Sequence, residues 1–122
     1  EDSSIILMRF KGNGCLVELF TNQFQKPNLC EVELIGNAGN LRLTVDKGVH
    51  TVAFCDNDSN EWVEMGRYAL SRDDPFIAQA HDFLDALEGR TAPATSLSEA
   101  KRTLAVALAA KESQRTRRIL SL

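Results

Sequence analysis

Five oxygen-bearing residues in a row, Asp56-Asn57-Asp58-Ser59-Asn60, come nearest in this chain to a reactive arrangement. Oxygen ligands at the first, third and fifth positions are how an EF-hand loop begins to wrap a calcium ion. The pattern then breaks. The sixth position, where glycine makes the sharp turn, is Glu61, and the twelfth, where a bidentate glutamate closes the shell, is Arg67. A solvated loop joining two strands is the favoured reading. Gly36-Asn37-Ala38-Gly39 has the composition of a phosphate cradle, but such a cradle must open a helix so that its amides and dipole face the anion. Leu41-Arg42-Leu43-Thr44-Val45 follows it and reads as a strand, which makes the glycines part of a β-turn.

The remaining reactive side chains are scattered. His50 and His81 are the only histidines, and neither has a cysteine or carboxylate at ligand spacing; Asp82, next to His81, points elsewhere on a helix. No Gly-x-Ser-x-Gly elbow occurs, and no cysteine has a base nearby in sequence. Cys15, Cys30 and Cys55 are odd in number, widely spaced and set in apolar runs, so they are expected to be buried, reduced structural residues. Arg115, Arg117 and Arg118, with Lys111 a turn earlier, are expected to complement the negative end of a helix. The residues therefore assign no catalytic, no cofactor-binding and no metal-binding position.

The elements around these residues follow from hydrophobic period. Residues 4–68 alternate in short β-type runs separated by turn residues: Ser4–Phe10, Cys15–Phe24, Cys30–Ile35, Leu41–Val45, Val49–Cys55 and Glu61–Tyr68. Lys11-Gly12-Asn13-Gly14 and Asp46-Lys47-Gly48 supply the positive φ of tight turns. Connections this short favour antiparallel neighbours, because a parallel pair needs a crossover of a dozen or more residues. Beyond Tyr68 the period changes. Asp74 before Pro75 predicts an N-cap, and Phe76, Ala80, Phe83, Leu84 and Leu87 recur at helical spacing up to Gly89. Ser96 and Glu99 form a capping box ahead of a second, alanine-rich helix carrying Leu97, Ala100, Leu104, Ala107 and Leu108 on one face. Ile119–Leu122 is read as a short terminal strand or a tail.

The fold class expected is α+β: an open, mostly antiparallel sheet of about six strands with two helices packed on one face, in a single domain spanning residues 1–122. Two helices cover one face only. The other face is expected to be an interface, because the first two strands place apolar side chains on both sides: Ile5 and Leu7 against Ile6, Met8 and Phe10, and Val17 and Leu19 against Leu16 and Phe20. A homodimer through the open sheet face is therefore predicted. A formal net charge of −3 argues against nucleic acid, and no run approaches the about 20 apolar residues that span a bilayer. Neither nucleic acid nor membrane is expected as a partner, and a cytoplasmic location is.

In the order and chemistry of three stretches the chain resembles the C-terminal domain of the Gfo/Idh/MocA oxidoreductases, which include glucose-fructose oxidoreductase-like enzymes. These are Glu33-Leu34-Ile35-Gly36-Asn37-Ala38-Gly39-Asn40-Leu41, like the family's Gly-x-x-Gly turn; Pro75 to Arg90; and Ala100 to Ser113, similar to an alanine-rich closing helix ending in Glu-Ser. The resemblance implies a dehydrogenase in which an N-terminal Rossmann domain, absent from this chain, binds NAD or NADP and hydride moves to or from a sugar or polyol-like substrate. The Gly-rich fingerprint, the Glu-Lys-Pro lysine and the aspartate-to-histidine stretch would all lie upstream of Glu1. This chain would then bind no cofactor, wall the substrate pocket and build the oligomer, with itself and its Rossmann domain as partners. The opening on Glu1 instead of Met fits a piece of a longer protein. The alternative is an autonomous dimerisation or small-ligand-binding module without redox activity.

Overall fold

The computed structural model describes residues 2–122, and its elements are β1 (Ser3–Arg9), β2 (Leu16–Asn22), β3 (Cys30–Gly36), β4 (Gly39–Asp46), β5 (Val49–Asp56), β6 (Trp62–Ala69), α1 (Asp74–Leu87) and α2 (Leu97–Thr116). Six antiparallel strands and two helices make an α+β fold, as the periodicity predicts. The strands divide into two sheets where the sequence suggests one: β1 with β2, and a meander in the order β3-β4-β5-β6. Asn22 contributes to that division. Its side-chain oxygen accepts a hydrogen bond from the Phe24 amide at 2.7 Å, an Asx turn that ends β2 two residues before its apolar pattern runs out. The Lys26-Pro27 peptide that follows is cis. The chain forms two compact units, one joining the segment up to Thr21 with Ala80–Leu122, the other Asn22–Gln79.

The second unit is built on its turns. Asp46 pairs with Val49 across Lys47 and Gly48, both at positive φ (48° and 82°), the backbone that matches the natural twist of a two-residue hairpin. At the β3 to β4 turn, Gly39 has φ 144°, and a Cβ there would lie 2.5 Å from the Cys55 carbonyl oxygen and 2.6 Å from the Phe54 ring. Only glycine fits both conditions. β5 and β6 pair antiparallel with a slip between Val52 and Ala53, which leaves Met65 without an opposite residue and forms a bulge.

In the first unit, the β1 and β2 hairpin closes through Phe10 N–H to Cys15 O and Gly14 N–H to Phe10 O, both 2.9 Å, with Gly14 at φ 72°. Further along it, Ser4 Oγ and Thr21 Oγ1 bond across the strands at 2.7 Å.

The helices start and stop for local reasons. Asp74, expected as the N-cap of α1, is instead its first helical residue: the carbonyl of Asp73 receives the first turn's bond from Ile77, at 2.9 Å. The Asp74 carboxylate points backward, accepting the Ser71 amide at 2.7 Å, and so does not serve the amides ahead of it. At the other end Gly89 (φ 73°) donates to Ala86 O and Arg90 to Asp85 O, the paired bonds of a Schellman stop. For α2 the predicted capping box is present, with Ser96 N–H bonded to Glu99 Oε2 (2.8 Å) and Glu99 N–H to Ser96 Oγ (3.3 Å). Arg117, at φ 56°, ends that helix. Ile119–Leu122 forms no strand and continues as an exposed tail. Among the described residues no apolar side chain is fully buried, and Phe76, Ile77, Phe83, Leu84 and Leu87 of α1 and Leu97, Leu104 and Leu108 of α2 are all exposed.

Candidate functional site

The four-stranded sheet has two chemically different faces, and its register assigns them. Because side chains alternate along a strand, residues paired across neighbouring strands share a face. Glu33, Arg42, Ala53 and Glu64 form one transverse row, Glu31, Thr44, Thr51 and Arg67 the next, and Ile35, Asn40, Cys55 and Trp62 a third. This face is polar and internally paired. Arg42 Nη2 donates to Glu33 Oε2 at 3.4 Å, Arg42 Nε lies 3.8 Å from Glu31 Oε2, and the guanidinium carbon sits 3.9 Å from the centre of the Trp62 ring. Arg42 Nε is shielded from solvent and has no hydrogen-bond partner, since the Glu31 oxygen lies beyond bonding reach. On β6 Arg67 forks onto Glu64, with Nη2 to Oε2 at 2.9 Å. That hydrogen bond, aided by the guanidinium charge, holds the Glu64 carboxyl below its ordinary range.

The opposite face carries Val32 and Leu34 from β3, Leu41, Leu43 and Val45 from β4, His50, Val52 and Phe54 from β5, and Val63 and Tyr68 from β6. Val32, Leu34, Leu41, Leu43 and Val52 line a shallow apolar concavity of about 270 Å³. Val32 is 53% exposed and Leu34 62%, values ordinary for polar surface residues and unfavourable for aliphatic ones. The sheet thus sets an exposed apolar patch on one face against its charged side chains on the other.

A second hollow, of about 400 Å³, opens where Lys26–Cys30 meets Val45–Lys47. It is wide and bordered by charges of both signs.

The sequence-derived positions can now be placed. In Asp56–Asn60 the oxygens serve the turn: Asp56 Oδ1 accepts the Asp58 amide at 2.9 Å, Asp56 O accepts the Ser59 amide at 3.2 Å, and Asn60 takes φ 54°. Asn57 Nδ2 donates to the Asn37 carbonyl, tying this loop to the β3 to β4 turn. Gly36 to Gly39 is that turn, joining two strands as expected. Among the described residues no three His, Cys, Asp or Glu side chains gather as a metal site would require. His50 lies on the apolar face of β5, and His81 is exposed on α1. The cysteines correct an expectation: they are free, but Cys15 and Cys30 are exposed and Cys55 is half-buried. Cys15 lies in the loop just before β2, Cys30 opens the edge strand β3, and Cys55 sits on the charged face of β5, placements that local composition cannot register. Arg115 pairs with Glu112 at 2.6 and 2.8 Å in the last turn of α2.

The Arg42, Glu31, Glu33 and Trp62 cluster was missed by local reading, because its members come from three strands. The signal lay in the alternation Glu31-Val32-Glu33-Leu34 against Leu41-Arg42-Leu43, opposite charges in phase on paired strands.

Comparison with known proteins adds no relative. No protein-family model, no curated protein and no solved structure matches this chain. No helix among the described residues is long and apolar enough to cross a membrane.

Proposed function

We propose that this chain is the substrate-pocket and oligomerisation domain of a cytoplasmic Gfo/Idh/MocA-type oxidoreductase. The complete enzyme moves hydride between NAD or NADP and a sugar or polyol-like substrate. Cofactor and catalytic groups come from an N-terminal Rossmann domain, and the present residues perform no chemical step.

The observation that carries this reading is the inequality of the sheet faces. One face of β3 to β6 carries the sheet's paired charges, while the other offers exposed aliphatic side chains, Val32, Leu34 and Val63 at more than half of their full exposure. An oligomerisation domain needs such a face, since burying each aliphatic side chain gains about 1.5–3 kcal/mol. The family resemblance supports it from a second side. Its three stretches lie on the β3 to β4 hairpin, α1 and α2.

The reading frame upstream of Glu1 tests the proposal. A Gly-x-Gly-x-x-Gly motif after a strand, followed by Glu-Lys-Pro, is expected, together with NAD(P)-dependent oxidation of polyols by the product of the whole frame. A start codon immediately before Glu1 would overturn it. The same exposed apolar face also suits an autonomous dimerisation module, the reading that would then take its place.

A further inference from the structure

The four-stranded sheet has two edges, and they are not equivalent. Along β6 the slip between Val52 and Ala53 leaves Met65 unpaired, and a bulge of this kind bends a strand and obstructs addition of another. β3 pairs residue for residue with β4 over its whole length, Cys30 with Val45 through Gly36 with Gly39. It contains no proline, no lysine and no bulge, the devices that ordinarily close an edge. Its outward N–H and C=O groups have no strand partner among the described residues. Such an edge is a template for one more strand.

The side chains beside it specify which strand. Val32 and Leu34 border the apolar concavity on one face, while Glu31 and Glu33 stand on the other. Both carboxylates share the single guanidinium of Arg42, so two negative charges meet one positive charge and the edge keeps a net negative charge. A strand laid along β3 places alternate residues on the two faces. Its complement therefore has aliphatic residues toward Val32 and Leu34 and cationic ones toward Glu31 and Glu33. β3 of a second copy does not meet that requirement: the full-length antiparallel register of two such strands sets Glu33 against Glu33, and like charges directly opposed are destabilising.

We propose that the β3 edge binds an extended polypeptide segment in which aliphatic and basic residues alternate. Main-chain hydrogen bonds supply attachment, and the two faces select the sequence. This site is the open backbone edge of β3; it shares Val32 and Leu34 with the apolar face but does not rest on the oxidoreductase reading.

The test uses the full chain and a labelled seven-residue peptide of alternating Val and Arg, matching β3 in length, followed by fluorescence anisotropy and amide hydrogen exchange. Binding is expected, with slowed exchange in Cys30–Gly36. A Val and Glu peptide should not bind, and the double change Glu31→Lys with Glu33→Lys should weaken the Val and Arg peptide about tenfold. The same peptide with its amides N-methylated keeps its charges and side chains but cannot join a ladder, so it should not bind; this arm is independent of how the protein variant folds. Absence of binding, or equal binding of the N-methylated peptide, overturns the proposal. Failure of the peptide to bind while the glutamate variant alters the chain's own mass in solution also overturns it, and assigns the edge to a second copy.

Discussion

The guanidinium of Arg42 on β4 reaches over β5 to lie 3.9 Å from the centre of the Trp62 ring on β6. The span is possible because Ala53, directly opposite Arg42, has no side chain beyond Cβ to occupy the space between them. Arg42 thus bridges three strands, since it also pairs with Glu31 and Glu33 on β3. Replacing it leaves two carboxylates two residues apart on one face without a counter-charge. Arg42→Ala is expected to destabilise the sheet by about 1 kcal/mol, read from the urea midpoint. Arg42→Lys should recover only part of this, because an ammonium does not stack on the ring or fork between carboxylates. Full recovery by lysine would show that charge alone matters.

Gly39 and Gly12 form a matched pair for testing the β3 to β4 turn. A Cβ on Gly39 meets the Cys55 carbonyl at 2.5 Å at a φ of 144°, while one on Gly12 meets nothing within 4 Å. Gly39→Ala should cost about 2 kcal/mol or more, and Gly12→Ala should change stability by less than about 0.5 kcal/mol. Equal effects at the two sites would contradict the close approach of β5.

Acid should weaken the fold. Glu64 is held below its ordinary range by its bond with Arg67, Asp74 by Ser71, Glu99 by Ser96 and Glu112 by Arg115. A depressed folded-state pKa means that the unfolded chain binds more protons. The stabilisation is therefore present above the ordinary values, 3.8 for Asp74 and 4.5 for the glutamates, and is lost as pH falls through the folded-state values. Unfolding midpoints should hold level above about pH 5 and decline below it. Glu99→Gln should remove the Glu99 share, whereas Ser96→Ala keeps the Ser96 amide and should remove only the smaller, hydroxyl part while lowering helical circular dichroism; a midpoint unchanged down to strong acid would refute the assignment.

Self-association through the apolar sheet face predicts a change in solution mass on dilution, measured by light scattering. Leu41→Lys, in the centre of that face, is expected to raise the dissociation constant about a hundredfold or more. Thr51→Lys, on the ion-paired face, should leave it unchanged. A chain that is monomeric at every concentration removes the self-association part of the reading.

Calorimetry of calcium addition addresses the Asp56–Asn60 loop. Its leading carboxylate already accepts the Asp58 amide, and Glu61 and Arg67 stand where a calcium loop needs glycine and glutamate. No binding heat is expected.

The sequence by itself determined the elements and their order. Period-two runs, turn residues and the Ser96 and Glu99 box are local signals, and local backbone physics answers them: each of the six strands lies within about two residues of its expected bounds. Tertiary structure decided what no window of neighbouring residues contains. The Asn22 side chain bends the chain after β2, and the six strands lie in two sheets. Strand register brings Glu31, Glu33, Arg42 and Trp62 together from three different strands, and it sorts a charged face from an apolar one. Exposure of Cys15, in the loop before β2, and of Cys30, at the start of an edge strand, has the same origin, because burial depends on what surrounds a residue in the fold, and its sequence neighbours do not encode that.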